Sequence, residues 1–299
     1  MNVGIIGVGK YLPKKVRTNF DLEKMVDTSD EWIRTRTGIR ERRIADPSEA
    51  TSDMAYKAAK QALKRAKLNA KKLELIIIAT ISSDMPFPAT ACVVQEKLGA
   101  KGAVVFDISA ACAGFVFALD VAHNAIASGR YKNALVVGAE LISRFVDWSD
   151  RSTCVLFGDG AGAAVLAPVK RGGIVSSVLA CDGAKAHLLN IPAGGSRLPA
   201  SHDTVTQRLH YLKMQGNEIF KFAVRSMVDS TKKAISKAGI KVQDIDCVIP
   251  HQANLRIIDA LLKRLQILFI DPLLILLVAD FNAFCLVLID VNATQKTVS

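Results

Sequence analysis

Apolar positions fall along the chain in two rhythms. Short unbroken runs of β-branched and aliphatic residues alternate with longer stretches whose apolar residues recur at helical spacing, the pattern of an α/β layer fold. Val3 to Ile6 reads as a strand and Asp53 to Lys67 as an amphipathic helix. Leu75 to Thr80 and Ala103 to Ile108 read as buried strands. Gly114 to Ser128 predicts a helix closed by Gly129, where a helix C-terminus favours glycine. Ala134 to Gly138 and Ala161 to Leu166 are further strands. Pro168 to Gly173 (Pro-Val-Lys-Arg-Gly-Gly) is the clearest turn, and it divides the chain into 1–170 and 171–299.

The two parts look related. Ala62-Leu63-Lys64-Arg65-Ala66-Lys67-Leu68, followed by Leu73 to Ile77, aligns without a gap on Ala234-Ile235-Ser236-Lys237-Ala238-Gly239-Ile240, followed by Ile245 to Ile249. A chance match of two helix–loop–strand patterns is the bland explanation. Taken as a duplication, the offset from 62 to 234 is 172 residues, too long for a solenoid and suited to a repeated half-domain. Two similar halves about a pseudo-twofold axis, with a site between them, are then expected. After the shared strand the first half continues for about 90 residues to Pro168, whereas only about 50 follow in the second. The second half is expected to lack something the first possesses.

Composition narrows the class. Of 299 residues half are hydrophobic and 22% charged, which excludes a disordered or collagenous chain. The net charge of +11 favours acidic partners, but with aromatics at 6% and no interleaving of arginine with them, nucleic acid is not expected. Six cysteines (92, 112, 154, 181, 247 and 285) lie far apart, without a Cys-x-x-Cys pair or Cys/His ligand spacing. Neither a disulfide scaffold nor a metal site is expected, and a reducing cytoplasm is the natural compartment. The start, Met1-Asn2-Val3-Gly4-Ile5-Ile6, has no signal-peptide shape.

Two residues stand out chemically. Cys112 follows the strand Val104 to Ile108 and the small residues Ser109-Ala110-Ala111, just before the Gly114 helix. A thiol at the start of a helix meets unpaired N–H groups and the positive end of the dipole, so a lowered pKa and a nucleophilic thiolate are expected there. A buried, inert cysteine is the alternative. His251 follows the strand expected at Ile245 to Ile249 and Pro250, and so falls at a strand end, where α/β proteins place their sites. It could act as a base or donate to a developing negative charge, or be structural. His123, His187, His202 and His210 have no acid or thiol companions. Phe157-Gly158-Asp159-Gly160-Ala161-Gly162 does not spell a phosphate loop, and tight backbone packing is its expected role. Lys10 to Arg43 holds ten Lys/Arg against six acids, as a solvated face or a phosphate-binding surface would.

These segments resemble β-ketoacyl-acyl carrier protein synthase III of type II fatty acid synthesis. Asp107 to Phe115 is similar to that family's active-site segment around Cys112, and Thr28-Ser29-Asp30-Glu31-Trp32-Ile33-Arg34-Thr35-Arg36-Thr37-Gly38-Ile39 to its coenzyme A segment. Phe157 to Ala163, Gly216-Asn217-Glu218-Ile219-Phe220-Lys221 and His251-Gln252-Ala253-Asn254-Leu255-Arg256-Ile257 match as well, so the likeness runs to about residue 266. It implies a thiolase-like duplicated αβαβα fold. The implied reaction moves a short acyl group from coenzyme A to Cys112, followed by decarboxylative condensation with malonyl-acyl carrier protein, aided by His251. Acyl-CoA is then a substrate and no cofactor is implied. Trp32, Arg36, Thr37 and Arg151 would hold the nucleotide end, and Gly216 and Asn254 the pantetheine arm. Phe87, from a partner copy in a homodimer, and Phe157 would line the acyl pocket. Lys221 and Gln252-Ala253-Asn254-Leu255-Arg256 would receive the carrier protein.

The likeness stops after Gln266. Residues 265 to 295 hold no Lys or Arg, although 39 in 299 would place about four there. The family's Gly-Asn-Thr-Ser turn and its final glycine-rich strand have no match. Asn282 falls 31 residues after His251, but Phe281 and Ala283 do not fit the motif. A frameshifted 3′ end, a diverged substitute and a membrane anchor each account for the change; Asp271, Pro272 and Asp280 weigh against the last. Poor condensation despite acylation is the expectation for this tail.

Overall fold

The computed structural model describes residues 1–245, 248–266 and 287–290, the last four by backbone alone. Asn282 and the rest of the divergent tail lie outside the described residues. Strands β1 (Val3–Tyr11), β2 (Lys15–Thr18), β3 (Glu41–Ile44), β4 (Leu75–Ala79), β5 (Val104–Ile108), β6 (Ala134–Leu141) and β7 (Asp159–Pro168) occupy the first half. Helices α1 (Asn19–Glu23), α2 (Asp30–Thr37), α3 (Thr51–Ala66), α4 (Thr90–Leu98), α5 (Gly114–Ala127) and α6 (Arg151–Cys154) lie between them. Beyond the Pro168 turn come β8 (Gly173–Ser177), β9 (Leu189–Asn190), α7 (His202–Thr206), β10 (Lys213–Met214), α8 (Gly216–Ala238), α9 (Leu255–Leu265) and β11 (Val287–Asp290).

Five strands form one mixed sheet in the order β1-β7-β6-β4-β5, with β4 parallel to both β5 and β6. Alternate side chains serve its two faces. Ile76, Ile78, Leu135, Val137 and Val165 pack under α3 and α4, while Leu75, Ile77, Val136, Ala164 and Leu166 pack under α5. Every residue of β4 and β6 is buried, because a strand covered on both faces needs apolar residues at consecutive positions. Helix α3 lies directly on β1. A Cβ at Gly9 would sit 2.1 Å from the Ala58 carbonyl oxygen, so glycine there is a condition of the helix–strand approach.

The repeat is visible in the backbone. Helix α3 ends at Lys67 in the left-handed region (φ 51°) and leads to a 3₁₀ turn at Ala70–Lys72. Helix α8 ends at Gly239 (φ 68°) and leads to a 3₁₀ turn at Val242–Asp244, the same 172-residue step from 70 to 242. The copies then part. The sequence predicts a buried strand at Ile245 to Ile249, but Ile245, Val248 and Ile249 carry no strand, and Ile249 is 44% exposed. Strand β4 is flanked by β5 and β6, whereas no strand among the described residues pairs with 248–249. Strand β8 instead pairs with β11.

Candidate active site

Cys112 sits in a single 3₁₀ turn, Ala111–Ala113, between the end of β5 and the start of α5. The turn is strained: Ala111 has φ 42°, a left-handed conformation that a residue with a Cβ adopts at a cost. Gly114 lets α5 close on β4, since a Cβ there would lie 3.1 Å from that of Ala79. Cys112 is thus held by backbone geometry at the carboxyl end of β5. Its electrostatics differ from the sequence expectation. The Cys112 thiol is pushed up to about 12, not down. Burial dominates, because a thiolate enclosed by protein loses its hydration; its own backbone N–H pulls the other way, and the charge of Glu140 adds to the rise.

A cavity of about 290 Å³ opens onto Cys112, lined by Ile81, Ala111, Glu140, Ile142, Phe157, Leu189, Asn190, Ile191 and Leu212. Its wall is mostly apolar, as an acyl chain requires. Phe157 is part of that wall. Phe87 does not line it; the side chain is 86% exposed on the outside of the same chain. Glu140 has no counterpart in the sequence analysis. The signal was present, since it is the one acid within the otherwise apolar run Ala134–Leu141.

His251 is buried, and enclosure holds its imidazolium down to about 4, so the ring is neutral at physiological pH. It is not among the residues lining the cavity. Asn254 caps α9: its Oδ1 accepts the Ile257 N–H at 2.9 Å. Gly216 is the first residue of α8. At the outer end, the Arg151 guanidinium lies 4.3 Å from the centre of the Trp32 ring, bringing together two residues expected at one subsite. Arg36 is exposed on the last turn of the same helix, α2. Thr37 is turned inward instead, donating to the Ile33 carbonyl and accepting from the Ile39 N–H. Helix α2 abuts the start of α9: a Cβ at Gly38 would be 3.0 Å from that of Leu255. On the outside Arg256 lies 5.5 Å from the Phe220 ring, next to Lys221, and Leu255 is half exposed. Gln252 and Ala253 are partly covered in the loop between them.

Other features are structural. Gly158 packs on Arg43, whose carbonyl oxygen would lie 3.1 Å from an added Cβ, and Asp159 accepts from Ser143 and from the Ala45 N–H. The basic stretch is not uniformly solvated: Arg42 is 3% exposed and donates to the Val155 carbonyl and Asn19. An open cleft of about 690 Å³ near Trp148 contains Arg144 and Arg208, but Arg144 donates to Pro47 and Glu49 carbonyls and Arg208 grips Asp147. Among the described residues no group of three or more His, Cys, Asp or Glu could hold a metal ion. No helix among them is long and apolar enough to cross a membrane.

A cysteine in a strained turn before a helix thus opens on an apolar chamber beside a mixed five-stranded sheet. Residues 106–183 match the family described as 3-oxoacyl-[acyl-carrier-protein (ACP)] synthase III, and residues 235–268 its C-terminal part. The β-ketoacyl-[acyl-carrier-protein] synthase III of Caldanaerobacter subterraneus subsp. tengcongensis is 57% identical over 265 residues, covering 88% of this chain and 80% of that protein. That of Symbiobacterium thermophilum is 59% identical over 264 residues, with the same coverage. The crystal structure of 3-oxoacyl-[acyl-carrier-protein] synthase III from Aquifex aeolicus superposes with a TM-score of 0.81 at 51% identity, covering 89% of this chain and 82% of that one. The chain belongs to the β-ketoacyl-acyl carrier protein synthase III family.

Proposed function

We propose that this chain starts fatty acid synthesis by joining a short acyl group from acyl-CoA to malonyl-acyl carrier protein, with Cys112 as the nucleophile. The observation that carries the reading is the strained Cys112 turn facing the apolar cavity. In the first half-reaction the Cys112 sulfur attacks the thioester carbonyl, the carbon–sulfur bond to coenzyme A breaks, and coenzyme A leaves as the thiol with one proton. In the second, malonyl-acyl carrier protein loses CO₂, its α-carbon attacks the Cys112 thioester, the carbon–sulfur bond to Cys112 breaks, and the 3-ketoacyl product leaves while the released thiolate takes a proton from solvent to regenerate the thiol. A neutral His251 suits this step, since its ring N–H can donate to the enolate oxygen without a charge that must be buried.

The Trp32–Arg151 contact leaves no room for a base between ring and guanidinium, so an adenine sandwiched between the two requires Arg151 to swing outward. Lys221 and Arg256 offer cations beside exposed Leu255, fitting an acidic carrier protein with a small apolar contact. Among the described residues strand β5 is a sheet edge, with Val104 half exposed, and Phe87 is 86% exposed. A homodimer that pairs this edge would cover both. Six cysteines spaced far apart suit a reducing, cytoplasmic setting.

The test is transfer of radiolabel from acetyl-CoA to the protein, retained through denaturation and absent in Cys112→Ser. No label under any condition sinks the nucleophile. Measuring 3-ketoacyl product in parallel separates the half-reactions: labelling without turnover would place the defect in condensation, where the unmatched tail is expected to tell.

A further inference from the structure

The cavity holds one charged side chain that the reaction as written does not use. Glu140 is 4% exposed near the end of β6 and lines the same chamber as Cys112. Its oxygens are engaged. One accepts the Ile81 N–H at 2.9 Å; the other accepts the Ser82 hydroxyl at 2.5 Å and faces the Thr80 hydroxyl at 3.5 Å. Ser82 in turn accepts the Leu141 N–H at 2.8 Å, and its carbonyl accepts from Thr51 on α3. The turn after β4, the end of β6 and the start of α3 are therefore tied at one carboxyl group. Ile81, whose N–H is held, is itself part of the chamber wall.

A carboxyl so engaged is placed to hold and to polarise rather than to carry a proton away. We infer that Glu140 is a positioning residue for acyl transfer: it fixes the Ile81 wall of the acyl chamber, and its negative charge opposes formation of the Cys112 thiolate. Other acids of the surrounding elements are directed elsewhere. Asp159 on β7 accepts from Ser143 and Ala45, Asp107 on β5 from the Thr90 and Ala91 N–H groups, and Asp84 from the Ser52 N–H. Glu140 is the acid that lines the same chamber as Cys112. Enclosure raises Glu140 itself to about 7, so the charge it presents to Cys112 varies across the physiological range.

The inference rests on Cys112 being the nucleophile, yet it can be tested without turnover. The rate of Cys112 alkylation by iodoacetamide, located by peptide mass, is followed against pH in the full chain. Glu140→Gln keeps one acceptor for the turn, replaces the other with an amide N–H and removes the charge. Its alkylation midpoint should move to lower pH by about one unit, the lower end of the range for a nearby charge. Glu140→Asp, which keeps the charge at shorter reach, should leave the midpoint in place while altering KM for longer acyl-CoA substrates more than for acetyl-CoA. A Glu140→Gln profile superimposable on that of the unchanged protein overturns the inference. If Glu140→Gln does not fold, the unchanged protein decides: two ionisations, the lower near 7, support the coupling, and a single one refutes it.

Discussion

Glu140, His251 and Cys112 each carry a titration that burial has displaced, and each displacement is also a statement about stability. Glu140 is raised from 4.5 to about 7, so the folded chain binds more protons than the unfolded one in that window. Stability from this group is full below about pH 4.5 and is lost as pH rises to 7, on the order of 3 kcal/mol in all. His251 acts in the opposite sense: lowered from 6.5 to about 4, it contributes fully above pH 6.5 and loses that contribution as pH falls toward 4. The two oppose each other between about pH 4.5 and 6.5. Urea unfolding of Glu140→Gln should therefore gain on the unchanged chain from pH 5 to pH 8; a constant difference would show that Glu140 titrates normally. A second prediction concerns the entrance. Arg151→Ala and Arg36→Ala should weaken coenzyme A thioesters by roughly 1.5–3 kcal/mol each, the worth of a charge-assisted phosphate contact, and spare free pantetheine thioesters. Equal losses for both donors would make these arginines structural.

Helix α3 depends on what it rests upon, and α9 on its cap. Gly9→Ala would drive a methyl into the Ala58 carbonyl from 2.1 Å, in a backbone contact that no rotamer relieves. The expected cost is about 1–3 kcal/mol or more, read as a lowered Tm; an unchanged Tm would mean that α3 can lift from β1 freely. For α9, Asn254→Ala removes the Oδ1 acceptor of the Ile257 N–H and should cost about 1 kcal/mol. Asn254→Asp keeps the cap and places a negative charge at the helix start, so stability should be retained. If Asn254 also contacts pantetheine through its amide, Asn254→Asp weakens pantetheine binding while Tm holds. Equal binding by Asn254→Asp and the unchanged chain would confine Asn254 to capping.

For the whole molecule, the proposed homodimer would cover the β5 edge and exposed Phe87. Sedimentation equilibrium should report a dimer. Val104→Lys puts a charge on the unpaired edge, a substitution that discourages strand addition, and should shift the protein to monomer. Acyl labelling should fall in the monomer if the partner's Phe87 completes the chamber. A monomeric unchanged chain with full labelling would refute the shared pocket.

Periodicity by itself determined the α/β class, the strands β4, β5, β6 and β7 and the Cys112 turn, because burial on two faces and the capping of helices are written in consecutive residues. The 172-residue repeat was legible for the same reason, and the backbone at Lys67 and Gly239 repeats it. Family likeness named Trp32 and Arg151 together, and the fold sets them in contact. What only the tertiary structure decided is environment. Whether the Cys112 thiol rises or falls depends on how much protein encloses it and on Glu140, 28 positions away in the sequence, from 112 to 140. Arg42 reads as one more surface cation until Asn19 and Val155 converge on it. Ile245 to Ile249 reads as a strand like its counterpart, but a strand exists only by pairing, and Val248 and Ile249 find no partner among the described residues. Local pattern specifies an element's shape; desolvation and pairing are sums over residues distant in the chain, and no window of sequence contains them.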